Sequence, residues 1–173
     1  MEVRNMIAGA IGSLLLVPIV LAADPSPDHF IKEAIEGNLS EVKVGGLAQQ
    51  KGSSQGVKDY GAALAKDHAS ANDKARQAAG ALGVTPPKEP GAKQKMMYQE
   101  LSGLSGGKFD EQFVQAMVKD HQEDIAQYEK QAGGSGPAAE YAKAILPDLR
   151  KHLQMAEKLR SQMRTASTSD GMK

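Results

Sequence analysis

The amino-acid sequence predicts an all-α fold, a bundle of four long helices. After the first 23 residues the chain is rich in Ala, Gln, Lys and Glu, a composition that favours helices. Aromatic residues make up only 4% of the 173 residues. Apolar residues recur at spacings of three and four, as they do on one face of a helix. Clusters of Gly, Pro and Ser separate these periodic segments.

The positions of these clusters set the predicted helix boundaries. The four long helices are expected at about 27–51, 55–82, 110–132 and 137–164. Ser26 and Ser54 precede the first two helices, where N-cap residues are expected. Asp110 is the predicted N-cap of the third long helix, with Phe109 and Val114 as its hydrophobic staple.

The connections between the helices indicate how the bundle is assembled. Two of them are short and predict antiparallel helix hairpins. The middle connection runs from Gly83 to Phe109 and is long enough to cross the bundle, with a short helix expected from Ala92 to Leu101. Two hairpins joined by a long crossover between helices two and three predict a four-helix bundle of ferritin-like connectivity.

Residues 1–23 are predicted to be a secretory signal peptide and not part of the fold. Arg4 supplies a positive charge, Met6 to Leu21 is apolar, and Ala22-Ala23 offers small residues at a cleavage site. A permanent membrane anchor is the alternative, but the apolar run is short for a full membrane span.

Cleavage would leave an exported protein without a stable membrane span. We expect it in a bacterial periplasm, or associated with the outer membrane. Residues 24–164 are then the helical domain, and the Ser/Thr-rich residues 165–173 are expected to be a disordered tail.

Charge and composition exclude several classes of function. The chain has 21 Lys and Arg against 21 Asp and Glu, and a balanced charge argues against a nucleic-acid partner. The absence of cysteine excludes thiol catalysis, cysteine-based zinc sites, iron–sulfur clusters and covalent CxxCH haem. No phosphate loop, serine-nucleophile motif or HExxH motif is present, so the sequence predicts no particular reaction. It also predicts no particular protein partner or oligomeric state.

The histidines are the most informative residues for function. Three of the four, His68, His121 and His152, lie on the apolar faces of three different predicted helices. Glu41 lies on an edge of the first helix that carries small residues. Each of these residues is within about two residues of its helix midpoint, which places all four within about 3 Å of one layer. Three imidazoles and a carboxylate form a ligand set for a divalent metal such as zinc, copper, iron or manganese.

The sequence leaves other interpretations of this layer open. The histidines could hydrogen-bond one another in a metal-free polar core, and the chain would then be a non-enzymatic envelope or stress-related protein that acts through its surface. Non-covalent haem held by two of the histidines is a third interpretation, which the scarcity of aromatic residues disfavours.

Four other residues are expected to have secondary roles. Asp67 and Asp120 each precede a core histidine, point about 100° away from it, and are expected to form salt bridges between helices. Asp148 lies one turn before His152, as a further ligand or as a partner for its imidazole. His29 is expected on the surface.

Several short segments, taken in order, resemble a known family. They are Asn38-Leu39-Ser40-Glu41-Val42, Val57-Lys58 leading to Asp67-His68, Gly106-Gly107-Lys108-Phe109-Asp110, Asp120-His121 and Leu146-Pro147-Asp148-Leu149-Arg150-Lys151-His152-Leu153. Over about residues 28 to 160 the chain resembles the bacterial domain of unknown function family 4142. The resemblance implies an exported protein with a ferritin-like bundle.

The sequence departs from di-iron ferritins at the positions that bind iron. Those proteins carry Glu-x-x-His motifs on two helices. Here Ala65, Val118 and Leu149 stand three residues before the core histidines. A carboxylate-bridged di-iron site is therefore not expected from the fold.

Overall fold

The computed structural model describes residues 26–170, with side chains through residue 166. All regular structure in this part of the chain is helical, which confirms the predicted all-α class. The helices are α1 (Pro27–Lys51), α2 (Gln55–Leu82), α3 (Ala92–Ser102), α4 (Gly106–Ala132) and α5 (Pro137–Asp170). None of these described helices is both long enough and apolar enough to cross a membrane. The predicted signal peptide lies outside the described residues.

The helices form a bundle that is assembled from two neighbouring pairs. Helix α1 packs along α2, α4 packs along α5, and the two pairs meet mainly through α2 and α5. The short helix α3 lies in the connection between α2 and α4 and rests against α1 and α4.

The interior contains two apolar clusters with a polar layer between them. One cluster includes Phe30 and Tyr141, and the other includes Tyr60 and Phe113. Apart from Asp110 at the start of α4, the buried polar residues of each long helix fall between the segments that enter the two clusters. These residues are Asn38, Ser40, Glu41, His68, His121 and His152.

Two of the predicted N-caps are confirmed and one is wrong. The Ser26 hydroxyl accepts a hydrogen bond from the His29 amide, and the Ser54 hydroxyl accepts one from the Val57 amide. Helix α4, however, begins at Gly106 and not at Asp110, because Gly106 adopts a positive φ of 61° that lets the chain turn into the helix earlier. Phe109 and Val114 therefore lie inside the helix and do not form a staple across its start.

Asp110 caps a different helix from the one predicted. Its carboxylate accepts hydrogen bonds from the amides of Ser53 and Ser54, at 2.8 and 2.9 Å, and from the Ser53 hydroxyl at 2.8 Å. These amides open α2, and the first amides of a helix have no partner within it. The cap is thus supplied across the bundle, which a local sequence pattern does not reveal.

The end of α5 also differs from the prediction. The helix was expected to stop at Arg164, before a disordered tail, but it continues to Asp170. No Gly or Pro occurs between these two residues, so the backbone carries no strong helix-ending signal before Gly171. Residues 171–173 lie outside the described part of the chain.

Helices α1 and α2 approach closely because both carry glycine at their contact. A Cβ atom on Gly45 would lie 2.5 Å from the carbonyl oxygen of Gly61, and one on Gly61 would lie 2.6 Å from the Ala48 Cβ. The small residues of α1 therefore permit close packing at this point. One to two turns earlier, the same edge carries the buried polar residues Asn38 and Glu41.

Candidate metal centre

Three histidines from three helices meet in the polar layer. His68 of α2, His121 of α4 and His152 of α5 are 4%, 0% and 1% exposed. Their ring centroids are 5.8, 5.3 and 5.5 Å apart. One ring nitrogen of each histidine lies within 4.8 Å of those of the other two. The structure thus brings together the three histidines that the sequence placed in one layer.

One nitrogen of each ring is held by an acceptor outside this group. Nδ1 of His121 lies 3.0 Å from the Met117 carbonyl oxygen, and Nδ1 of His68 lies 2.9 Å from Oδ1 of Asn38. Nε2 of His152 lies 3.0 Å from a carboxylate oxygen of Asp67. Each partner atom is an acceptor, so the histidine nitrogen that faces it carries the proton and donates.

The remaining three nitrogens are therefore all acceptors. Nε2 of His68, Nε2 of His121 and Nδ1 of His152 have no hydrogen-bond partner among the described residues. They cannot hydrogen-bond one another while the outer nitrogens keep their protons, because none of the three then has a hydrogen to donate. Three unpaired lone pairs thus lie close together in a buried region, which is an unfavourable arrangement without a cation.

The electrostatic environment keeps two of these imidazoles neutral. Burial and the neighbouring imidazoles lower the pKa of His68 well below its usual 6.5. Burial and His152 lower the pKa of His121 to about 4. Both rings are uncharged at neutral pH, which is the state in which imidazole binds a metal.

Further hydrogen bonds fix the orientation of the outer acceptors. The Asn38 amide donates to the Tyr141 hydroxyl at 2.9 Å, and that hydroxyl lies 3.3 Å from the Tyr128 hydroxyl. This chain directs Oδ1 of Asn38 towards His68. The carboxylate of Asp67 also pairs with Lys151 at 3.4 Å. Such partners of ligating histidines fix both the ring orientation and the tautomer.

Glu41 lies in the same layer but is not part of the close histidine group. It is 2% exposed, and neither carboxylate oxygen has a hydrogen-bond donor among the described residues. Its neighbour is Asp120: burial and this second carboxylate raise the pKa of Glu41 well above its usual 4.5. The two groups hydrogen-bond only when one of them holds a proton, since ionised carboxylates have no donor.

Tyr60 is a second buried group without a partner in this region. Its hydroxyl has no hydrogen-bond partner among the described residues. Burial and the nearby carboxylates of Glu41 and Asp120 raise the pKa of Tyr60 above its usual value. The phenol is therefore neutral and able to donate a hydrogen bond.

The expectations for the neighbouring residues have mixed outcomes. Asp67 does form an ion pair between helices, with Lys151, but it also orients His152, the role that the sequence gave to Asp148. Asp120 interacts with Glu41, because α4 turns it towards α1, and it forms no ion pair among the described residues, in contrast to the salt bridge expected between helices. His29 is on the surface as predicted, 3.3 Å from Glu33.

The sequence did not identify the three acceptors that orient the histidines. Asn38 had one usable signal, its place on the buried edge of α1 one turn before Glu41. Asp67 acts on a histidine of another helix, and Met117 acts through its backbone, so neither leaves a pattern near its own position.

Comparison with known proteins agrees with the resemblance drawn from the sequence. The profile of the domain of unknown function DUF4142 matches residues 20–159, which confirms that resemblance. None of the curated proteins matches the chain. A solved structure, the crystal structure of a DUF305 fragment from Deinococcus radiodurans, is similar with a TM-score of 0.69 and 14% sequence identity. The similarity covers 80% of this chain and 97% of that fragment, and it indicates a shared fold alone.

Proposed function

We propose a function from the site itself, because the chain belongs to the DUF4142 family, whose name assigns no activity. The protein is a helical-bundle protein that binds one divalent metal ion. Its ligands are Nε2 of His68, Nε2 of His121 and Nδ1 of His152, with Glu41 as a fourth protein ligand.

The convergence of three unprotonated nitrogens supports this proposal most strongly. Each histidine of the triad donates its one ring hydrogen outwards, to Asn38, to the Met117 carbonyl or to Asp67. One nitrogen of each ring lies within 4.8 Å of one nitrogen of each of the other two rings, and the three unpaired nitrogens have no donor among the described residues. A cation satisfies all three lone pairs at once, whereas a single proton satisfies only one or two of them.

The position of Glu41 supports its inclusion as a ligand. It lies on α1, the long helix that contributes no histidine to the triad, and its neighbour Asp120 can satisfy its carboxylate only when one of the two groups is protonated. A bound cation would attract this carboxylate away from Asp120, which repels it when both are ionised. The negative charge would offset part of the charge of the buried ion.

The ligand chemistry limits which metals suit the site. Neutral imidazoles suit zinc, copper and iron, whereas manganese prefers oxygen ligands. We therefore place zinc and copper ahead of iron, and iron ahead of manganese. A bound ion of this kind would supply Lewis acidity or, for copper and iron, electron transfer. The chain's own residues hold it, orient the rings and exclude bulk water.

The proposal includes the architecture and the cellular location predicted from the sequence. The two packed helix pairs and the long connection that carries α3 support ferritin-like connectivity. The charge and apolar pattern of residues 1–23 supports export to the periplasm. Cell fractionation, with N-terminal sequencing of the mature chain, tests the location: a chain beginning near Asp24 is the expected result.

Elemental analysis tests the metal site. The chain is purified without a histidine tag, incubated with zinc or copper and desalted. We expect about one ion per chain in the wild type, much less in His121→Ala, and an unchanged content in His29→Ala. His29 is the matched control because it is an exposed histidine outside the triad. Equal metal content in all three proteins would overturn the proposal.

A further inference from the structure

A polar cavity reaches one histidine of the triad from the surface of the bundle. It has a volume of about 130 Å³ and is lined by residues of α1, α2, α3 and α4. Exposed residues form its outer part, including Lys93 and Glu123, whose side chains are 73% and 47% exposed. Its inner wall includes His68 and Asn38, which are 4% and 2% exposed. The cavity therefore leads from solvent to the buried layer.

The walls of this cavity carry an excess of negative charge. Four carboxylates line it, those of Glu33, Asp120, Glu123 and Asp124. Lys93 pairs with Glu123 at 3.0 Å and so offsets one of the four. Burial and the charge of Asp120 raise the pKa of Asp124 to about 8. A divalent cation relieves such repulsion between carboxylates and is bound well by their oxygens.

A second observation connects this acidic cavity with the proposed metal ligands. His68 lies in the inner wall, and its Nε2 is buried and has no hydrogen-bond partner among the described residues. Next to Asp120 lies the buried carboxylate of Glu41, which Asp120 repels when both groups are ionised. Oxygen ligands at the mouth are thus followed by an unpaired nitrogen and a further carboxylate at the inner end. The triad itself is at most 4% exposed, so an ion needs such an opening to reach it.

We propose that Asp120 and Asp124 form a loading site that takes up a hydrated divalent cation and passes it through the cavity to the histidine triad. This inference rests on the proposed function. The cation exchanges water for carboxylate oxygens in the cavity and then carboxylate oxygens for imidazole nitrogens in the triad. Lys93 competes with the incoming cation for the same carboxylates and therefore slows loading.

Loading kinetics test this proposal. Cobalt(II) is mixed with the metal-free full chain, and the absorbance of the bound ion is followed in a stopped-flow instrument. The mixing is done above pH 8, where Asp124 is ionised. Asp124→Asn and Asp120→Asn are each expected to load about tenfold more slowly, because they remove negative charge from the cavity and so reduce the local cation concentration. Lys93→Ala is expected to load faster. Asp73→Asn, an exposed change of equal charge on α2, is the matched control and is expected to load like the wild type.

Glu33→Gln keeps the test decisive if a variant of a more buried carboxylate does not fold. Glu33 lies at the outer part of the cavity, with a side chain that is 42% exposed, and its variant is also expected to load more slowly. All variants should still bind one cobalt ion per chain at equilibrium.

The outcomes separate this inference from the proposed function. Unchanged loading rates in Asp124→Asn, Asp120→Asn and Glu33→Gln, with one ion still bound, would overturn the loading site and leave the triad intact. A lower final metal content in Asp124→Asn would also overturn it, because Asp124 would then be a permanent ligand. Failure of the wild type to bind cobalt, zinc or copper would instead overturn the proposed function.

Discussion

Asp67 on α2 accepts a hydrogen bond from Nε2 of His152 on α5 at 3.0 Å. Because the carboxylate can only accept, the imidazole proton stays on Nε2, and Nδ1, which has no hydrogen-bond partner among the described residues, keeps its lone pair. The arrangement crosses two helices, with Asp67 24% exposed and His152 1% exposed. A residue at the edge of the bundle thus determines the chemistry of a fully buried one.

The first prediction concerns this pair. Asp67→Asn removes the negative charge and offers an amide N–H that can reverse the hydrogen bond, which would place a proton on Nδ1 of His152. We expect metal affinity to fall by about 10- to 100-fold, as for other partners of ligating histidines. Competition with a chromophoric chelator measures the change. Asp148→Asn on α5 is the control, and an equal loss in that variant would contradict the assignment.

The second prediction concerns thermal stability. A metal that binds the folded chain and not the unfolded one stabilises it by about 2.7 kcal/mol at a hundredfold excess over Kd. For a chain of this size we expect Tm to rise by roughly 5–10 °C with saturating zinc. The rise should disappear in His68→Ala, His121→Ala and His152→Ala and persist in His29→Ala. A rise of the same size in the His121→Ala protein would show that zinc stabilises the fold at some other place.

The third prediction concerns pH and Asp124. In the folded protein the pKa of Asp124 is about 8, above its usual 3.8. Between pH 3.8 and pH 8 the folded state therefore holds a proton that the unfolded chain has released. The contribution of Asp124 to stability is present below pH 4 and is lost as pH rises towards 8. Because the side chain is only partly buried, the free energy of unfolding should fall by less than ~1.4 kcal/mol per pH unit, which is the maximum for a single titrating group.

Urea unfolding of the metal-free protein at a series of pH values checks the direction of this change in stability. Asp124→Asn should gain stability relative to the wild type as pH rises from about 4 to about 8. Asp73→Asn, which changes an exposed carboxylate, should follow the wild type across the same range. If the free energies of unfolding of the wild type and Asp124→Asn changed in parallel with pH, the expected environment of Asp124 would be contradicted.

The fourth prediction concerns the contact between α1 and α2. Gly45→Ala places a Cβ atom 2.5 Å from the Gly61 carbonyl oxygen and 2.9 Å from the Ala65 amide nitrogen, so the two backbones must move apart. We expect a loss of about 1–3 kcal/mol in the free energy of unfolding.

Gly46→Ala is the matched control for this change. It is the next residue of the same helix, and nothing lies within 4 Å of its added Cβ atom. Alanine should there stabilise the helix by about 0.5–1 kcal/mol. Chemical denaturation of both variants measures the contrast, and equal effects at the two positions would show that the helices do not approach as described.

Much of the fold was predictable because its signals are local. The caps at Ser26 and Ser54 and the Gly and Pro clusters gave the starts of α1, α2 and α5. Helix midpoints and the fixed rise per residue were enough to place His68, His121 and His152 at one depth.

The features that the sequence did not reveal depend on how the helices are rotated about their axes. Asp110 caps α2 from α4, Asp67 orients His152 across two helices, and Asp120 interacts with Glu41 of α1. Each is a contact between helices that no spacing within one helix specifies. The acceptor role of Asn38 also required knowing that Tyr141 fixes its amide.

Histidine NMR tests the central claim most directly, because it observes the ring nitrogens themselves. In long-range ¹H–¹⁵N spectra of the metal-free chain, His68 and His121 should carry their protons on Nδ1, and His152 should carry its proton on Nε2. One equivalent of zinc should shift Nε2 of His68, Nε2 of His121 and Nδ1 of His152, and leave His29 unchanged. Unaltered resonances for the three core histidines, or a response confined to His29, would contradict a metal site in the core of this bundle.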